Sequence, residues 1–357
     1  MITNDSPDSV TFDEGFNSGR YRLIQVTKEL AEHVRQGKTL VVRGQPKTNL
    51  CLCTDDATYR VREVETTDTL FVTNVNQVES IGTGKDYRIR AYLKTFLELT
   101  KDEMSPYLAL KTLLEKYEYD LNDSNAEETI SFDEVLDIIQ FSEAEIRAAM
   151  ERLPVVEYDA LLRYLKRSFR EDMLGKLVDV IDDYTIDGIS TKEMDRTAMR
   201  EFFSDEYPVV FIDWLHRTYA LPNGTPNHKA ICRDRAVELL SKENSLGITA
   251  FERKMSNLLP IGTEFDSEAL KGVAIIKNTV GRGQIVEYLN VEDMPPDSKQ
   301  RLEILFKVQP SWSAEDIEPY VIDFCTSKAS VGAFLLKNCQ SVKEGNAKVF
   351  IQKNNDF

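Results

Sequence analysis

The sequence predicts an α+β chain: an N-terminal antiparallel β-domain over residues 19–100, followed by a series of small helical units. Two observations predict it. Between Thr39 and Val72, the apolar runs Leu40–Val42, Leu50–Cys53 and Leu70–Val72 flank the alternating Tyr59, Val61 and Val64. Gly44-Gln45-Pro46 and Thr54-Asp55-Asp56 supply turn chemistry between them, so the segment reads as an antiparallel meander. Beyond residue 130 the apolar period becomes helical, and pairs of hydroxyl and acid three residues apart mark N-caps: Ser131 with Glu134, Ser142 with Glu145, Ser190 with Glu193, and Ser313 with Asp316.

Residues 1–18 lack periodicity and are expected to be disordered. Tyr21–Val26 reads as a strand, and Thr27 caps a short helix, Lys28–Gln36, that Gly37 stops. After the meander, Asn74–Gly84 and Asp86–Leu99 read as further strand and loop. Residues 101–128 form a helix, Ser105–Tyr117, and an acidic, Asn-rich linker where a domain boundary falls.

Residues 129–187 carry helices at Ser131–Gln140, Glu143–Arg152 and Tyr158–Asp172, with Leu136, Ile139, Ile146, Met150, Leu162 and Phe169 among the inward positions. A helix-turn-helix pair followed by a third helix is the core of a winged-helix domain, though spacing admits other three-helix units equally. Residues 188–262 use Lys192–Phe203, Pro208–Tyr219, His228–Glu243 and Ile248–Leu259. Residues 263–357 open with a hairpin, Val273–Lys277 with Gln284–Asn290. Helices Ser298–Val308, Ala314–Phe324 and Lys328–Gln340 follow, and the strand Lys348–Gln352 serves as a wing.

A length of 357 residues suggests about two to three domains. Hydrophobic residues at 42% and charged residues at 29% are the proportions of a soluble globular protein. No apolar run approaches the roughly 18 to 20 residues of a membrane span, and the acidic start MITNDSPDSVTFDEGF has no signal-peptide core, so an intracellular protein without membrane contact is expected. The net charge of −16 argues against a surface that coats DNA all over. Its distribution is uneven: eleven acids against Lys116 alone between Glu115 and Glu145, but five lysines against two acids from Cys325 to the end. Five scattered cysteines do not make a disulfide framework, and reduced thiols are expected. Cys51 and Cys53 lie on one face of a strand, but a zinc site would need two more ligands, and His33 is the only histidine in the first half.

Arg163, Lys166, Arg167 and Arg170 stand at i, i+3, i+4 and i+7, which would place four cations on one helix face in a region short of positive charge. Such a line suits phosphates, an acidic partner, or pairing with the acidic linker. Lys337, Lys343, Lys348 and Lys353 form a second basic set on the last expected helix, the loop after it and the wing. Asp183-Tyr184-Thr185-Ile186-Asp187-Gly188 departs from a calcium loop at Thr185 and at Met194, where the bidentate Glu should stand. Gly281-Arg282-Gly283 lacks the rest of a phosphate loop, and Asp55-Asp56 and the separated His33, His216 and His228 signal no catalytic constellation. No enzyme activity, metal or cofactor is expected.

The stretch from Thr39 to Val72 resembles the start of the sister-chromatid-cohesion DCC family, through Val42, Arg43, Gly44, Cys53, Thr54, Asp55, Asp56, Thr58, Tyr59, Arg62, Val64, Glu65, Thr66, Leu70 and Val72. A second stretch, Glu287–Val321, resembles the family at Trp312, Glu315, Asp316, Ile317 and Pro319. The resemblance implies a non-catalytic nuclear subunit of an alternative replication factor C clamp loader, acting in sliding-clamp loading and unloading, DNA replication and cohesion. It further implies three tandem winged helices that reach single- and double-stranded DNA and DNA polymerase epsilon. The β-domain would complete a composite barrel with the C-terminal tail of the loader's large subunit and with a small third subunit, and Val42, Arg43, Tyr59, Arg62, Leu70 and Val72 are candidate partner-facing positions. The competing reading is a winged-helix transcription regulator with a β ligand-sensing domain.

Overall fold

The computed structural model describes residues 9–45, 48–76, 86–121, 129–183, 185–279, 281, 283–325, 327–345 and 347–353. The chain divides into two compact units, one of Met1–Asp102 with Leu136–Glu145, the other of Glu103–Val135 with Ile146–Phe357.

The first unit carries β1 (Ser9–Phe12), β2 (Ile24–Gln25), α1 (Lys28–Arg35), β3 (Val41–Arg43), β4 (Cys51–Cys53), β5 (Thr58–Asn76) and β6 (Asp86–Lys101). Its sheet runs β1-β6-β5-β4-β3, with β2 also on β6. β1 and β2 lie parallel to β6, and the remaining pairs are antiparallel. The predicted meander is therefore present. Thr27 caps α1 by accepting the Leu30 amide at 3.3 Å, and α1 buries Leu30 with Leu52, Ala57, Tyr59 and Leu99. Three expectations change. Residues 9–12, expected to be disordered, form a strand, because Val10 and Phe12 alternate and the backbone finds partners on β6. The strand expected over Tyr21–Val26 shrinks to two residues. β5 and β6 grow to 19 and 16 residues, and the sheet is open, with no closed barrel among the described residues.

After the first unit's strands come α2 (Tyr107–Leu114), β7 (Glu118–Tyr119), α3 (Phe132–Ile138), α4 (Glu143–Glu151), β8 (Val155–Tyr158), β9 (Leu161–Leu165), α5 (Arg167–Ile181), α6 (Arg196–Phe203), α7 (Val209–Tyr219), α8 (His228–Glu243), β10 (Ser245–Gly247) and α9 (Ile248–Met255). The hairpin β11 (Ala274–Thr279) and β12 (Gly283–Tyr288) is followed by α10 (Ser298–Val308), β13 (Ser311–Ser313), α11 (Ala314–Val321), α12 (Lys328–Asn338), β14 (Cys339–Glu344) and β15 (Ala347–Gln352). Three small sheets result: β7-β9-β8, β10-β12-β11 and β13-β15-β14. Each joins the first strand to the third and the third to the second. The chain thus repeats one order three times: helix, strand, helical segment, two-stranded hairpin.

The helix expected over Tyr158–Asp172 is the main correction. Its first half is the β8–β9 hairpin, turned by Asp159 and Ala160 at φ 53° and 61°, and the helix starts only at Arg167. Leu161, Leu162 and Leu165 satisfy helical spacing as well as a buried strand does. A turn without glycine hides the reversal, since two positive-φ residues ordinarily call for Asn-Gly or Asp-Gly. The hairpin expected to open residues 263–357 instead pairs with β10 through β12. Ser190 does accept the Glu193 amide, at 3.2 Å, but this closes a turn, and α6 begins at Arg196 under an Asp195 cap. The Ser131, Ser142 and Ser313 caps form as predicted.

Met173, Leu177, Met199, Phe203, Phe211, Leu215 and Phe251 centre one core, and Leu305, Trp312, Ile317, Tyr320 and Leu335 another, where Trp312 Nε1 donates to the Leu305 carbonyl at 3.1 Å. Asp213 on α7 takes both forks of α6: Arg196 Nη2 at 2.7 Å and Arg200 Nη2 at 2.6 Å, with each Nε also bonded. Hydrogen bonds from Arg196 and then Arg200 hold its carboxyl well below the usual carboxylate range. A folded pKa lowered in this way contributes stability that is full above the unfolded value, about 3.9, and is lost as pH falls below it. Asp213→Asn is therefore expected to lower the urea midpoint at pH 7, with the gap to the parent narrowing below about pH 4. A gap that stays constant from about pH 7 to about pH 3 contradicts this account.

Candidate functional site

β5 pairs along one side with β6 between Tyr59 and Asn76, with register shifts between Glu65 and Leu70 and between Val72 and Thr73. On its other side β4 covers Thr58–Arg60, and the Val61 amide donates to the Leu50 carbonyl at 3.2 Å. From Arg62 onward no strand lies on that side among the described residues. Leu70 and Val72, half-buried, sit opposite the buried Leu93 and Ala91 of β6, so this edge adjoins an apolar sheet face. Opposite them Phe71 pairs with Tyr92, Tyr92 stacks on Phe16 at 5.9 Å, and Phe16 meets Phe12 edge-on at 5.4 Å. All four rings are substantially exposed, Phe12 at 67%. Sequence reasoning missed this aromatic patch, although the alternation of Val10 and Phe12 signals it.

The predicted partner-facing residues separate accordingly. Val42, on the edge strand β3, is 60% exposed. Arg62 is exposed and pairs with Glu98 at 2.6 Å. Tyr59 is buried in the core, and Arg43 turns inward to donate to the Leu136 carbonyl at 3.2 Å.

The threonine-rich turn beside them is architecture. Thr54 Oγ1 donates to Asp56 and accepts the Ala57 amide at 3.0 Å, which closes the β4–β5 turn. Thr58, buried, accepts the Ser142 amide at 2.8 Å and donates to Glu145 Oε2 at 2.6 Å, while Ser142 donates to the same oxygen at 2.7 Å. This network fastens Leu136–Glu145 to the strands. Cys51 and Cys53 belong to the same packing: all five cysteines are free and buried, and burial, then the neighbouring Cys53, pushes the Cys51 thiol up to about 12. Among the described residues no cluster of three metal-ligating side chains exists.

The four cations read as one helix face do not form one. Arg163 lies on β9, buried, with its guanidinium 4.8 Å from the Tyr119 ring centre. Lys166 precedes α5 and pairs with Asp120 at 3.1 Å. Arg167 binds Asp293 and Glu292, and Arg170 binds Glu292 at 2.6 Å. Burial raises the Glu292 carboxyl, but Arg170 and Arg167 outweigh it, and the net shift is downward. These charges serve internal pairing.

The C-terminal lysines differ. Lys337 on α12, Lys343 on β14, Lys348 on β15 and Lys353 after it are all exposed, and among the described residues none has a carboxylate within ion-pair distance. Lys343 and Lys348 face each other across the hairpin, a like-charged pair that is destabilising by itself. Lys348 lies 5.4 Å from the Phe350 ring centre, and Lys353 donates to the Lys337 carbonyl at 3.4 Å.

Comparison with known proteins places this architecture. The family model described as "Sister chromatid cohesion protein Dcc1" matches residues 21–321. The chain belongs to this family. "Sister chromatid cohesion protein DCC1" of Danio rerio is 25% identical, with 96% of this chain and 91% of the relative covered. The Homo sapiens protein of the same name is 26% identical over 94% of this chain and 89% of its own length. "Probable sister chromatid cohesion protein DCC1" of Dictyostelium discoideum is 27% identical over 94% and 95%. Six of the positions that carry the Dcc1 family resemblance are buried, Cys53, Thr54, Thr58, Tyr59, Trp312 and Ile317, and the others are exposed or half-buried.

Thr58→Val removes one acceptor and one donor from a buried network, so it should cost about 1–3 kcal/mol in denaturant unfolding. Thr58→Ser, which keeps both bonds, should recover most of it. Equal losses in the two variants exclude the hydrogen-bond account.

Proposed function

We propose that this protein acts in sister chromatid cohesion and DNA replication in the nucleus as a non-catalytic subunit of an alternative replication factor C clamp loader, helping to load or unload the sliding clamp. The observation that carries the reading is the outer edge of β5 from Arg62 onward, with apolar side chains beside it and, among the described residues, no strand of its own chain upon it. An edge of that kind accepts a foreign strand by backbone pairing. The partners are the C-terminal tail of the loader's large subunit and the small third subunit, which together with this sheet complete a composite barrel. Val42, Leu70 and Val72 line the docking region.

The order α10-β13-α11-α12-β14-β15, with strands β13-β15-β14, supports a winged-helix reading of the last module. The same recurring order supports winged helices for the two before it. In this reading α12 is the recognition helix, β14–β15 is the wing, and Lys337, Lys343, Lys348 and Lys353 are the cations that meet DNA or the catalytic subunit of DNA polymerase epsilon.

Co-expression with the two loader partners should give a stable heterotrimer by size exclusion, in which the β5 amides beyond Arg62 exchange hydrogen far more slowly than in the isolated chain. Equal protection with and without partners sinks the strand-addition model. For the wing, Lys343→Ala with Lys348→Ala should weaken duplex binding alike for all base sequences and reduce the slope of log K against log salt by about two. Binding that depends strongly on base sequence would instead favour the transcription-regulator reading.

A further inference from the structure

The second unit contains a cleft of about 580 Å³, walled by α2, α7, α8 and the segments around Glu292 and Asp323. That volume suits a small ligand. Its lining is polar and rich in cations, within a chain whose net charge is −16. Two guanidinium groups there are unspent. Arg217, exposed on α7, reaches only the Val155 carbonyl, at 3.5 Å, and Arg233, exposed on α8, makes no hydrogen bond or ion pair among the described residues. Arg170, half-buried at the wall, spends one terminal nitrogen on Glu292 and leaves its Nε without a partner among the described residues.

The acids in the lining are mostly occupied. Glu292 is held by Arg170 at 2.6 Å, Asp323 by Arg152 at 3.1 Å, and Glu318 by Lys328 at 2.8 Å. Asp234 accepts the Tyr219 hydroxyl at 2.7 Å, and burial raises its carboxyl pKa. Only Glu151 lines the cleft without a hydrogen bond or ion pair among the described residues.

We propose that this cleft is a binding site for a small, multiply charged phosphate ligand, held by the planar forks of Arg217 and Arg233. Arginine forks match phosphate oxygens two at a time, which a lysine-lined surface does not do. Neutral donors are at hand, since the phenols of Tyr107 and Tyr164 also line the cleft and burial keeps both protonated. The site is separate from the wing lysines and does not depend on the clamp-loader reading.

The test is isothermal titration of the full chain with inorganic tripolyphosphate at physiological salt. Saturable binding with one site per chain is expected. Arg217→Ala with Arg233→Ala should weaken it at least tenfold, Glu151→Gln should tighten it, and Lys343→Ala with Lys348→Ala should leave it unchanged. Both arginines are exposed, and an unaltered thermal midpoint shows that the variants fold. Parallel titrations with a nucleoside triphosphate and with inositol hexakisphosphate identify the source, and tighter binding of either supports the site. The proposal is overturned by no saturable binding up to millimolar concentration, by full binding in the double arginine variant, or by a hexaglutamate peptide that binds more tightly than any phosphate.

Discussion

Every residue of a strand directs backbone hydrogen-bonding groups to one side or the other, and in β5 one side is largely left to water. Its 19 residues are the longest element of the described protein, yet β4 pairs with only Thr58–Arg60. Backbone donors and acceptors that lie beside an apolar face are a template for another chain. The charges of β5 moderate that hazard: Arg62, Glu63, Glu65 and Asp68 interrupt the edge where a second copy of the same strand would bring like charges together. An edge open to a heterologous strand but discouraging to itself fits a subunit that works in assembly.

Part of the protein's recognisable wording is spent on building. Thr58 stands at the junction of a turn, a strand and a returning helical segment, and its one hydroxyl both accepts and donates. Trp312 buries its ring and still finds a carbonyl for its indole nitrogen. Ser313 caps α11 by accepting the Asp316 amide at 3.0 Å. Gly272, at φ 79°, comes so close to Pro319 that an added Cβ would lie 3.0 Å from its ring, so only glycine suits both the backbone and the contact. Residues of this kind hold the fold together from within. The surfaces that would meet partners, Val42, Phe71 or Lys348, are defined by exposure rather than by chemistry of their own.

The legible parts of the fold were those whose signal is local. Thr27, Ser131, Ser142 and Ser313 caps and the helices α7, α8, α10 and α12 follow from side-chain chemistry within a few residues of the element they begin. The Asp159-Ala160 turn was illegible because both residues take positive φ without the glycine that ordinarily announces it. The cation set failed for a connected reason: with Arg163 on a strand and Arg170 on a helix, spacing no longer describes a common face. The acids that neutralise Arg167 and Arg170 arrive from Glu292 and Asp293, far downstream in the sequence.

By itself, the sequence determined the two-part α+β character, the caps at Thr27, Ser131, Ser142 and Ser313 and the basic bias of the C-terminal end, because each depends on composition or on groups close together along the chain. Only the tertiary structure decided which strands share edges, which cations are spent in internal pairs and which remain free, and where Arg217 and Arg233 line a common cleft. Those outcomes depend on contacts between residues far apart in sequence, and such contacts leave no periodic trace in a single chain of letters.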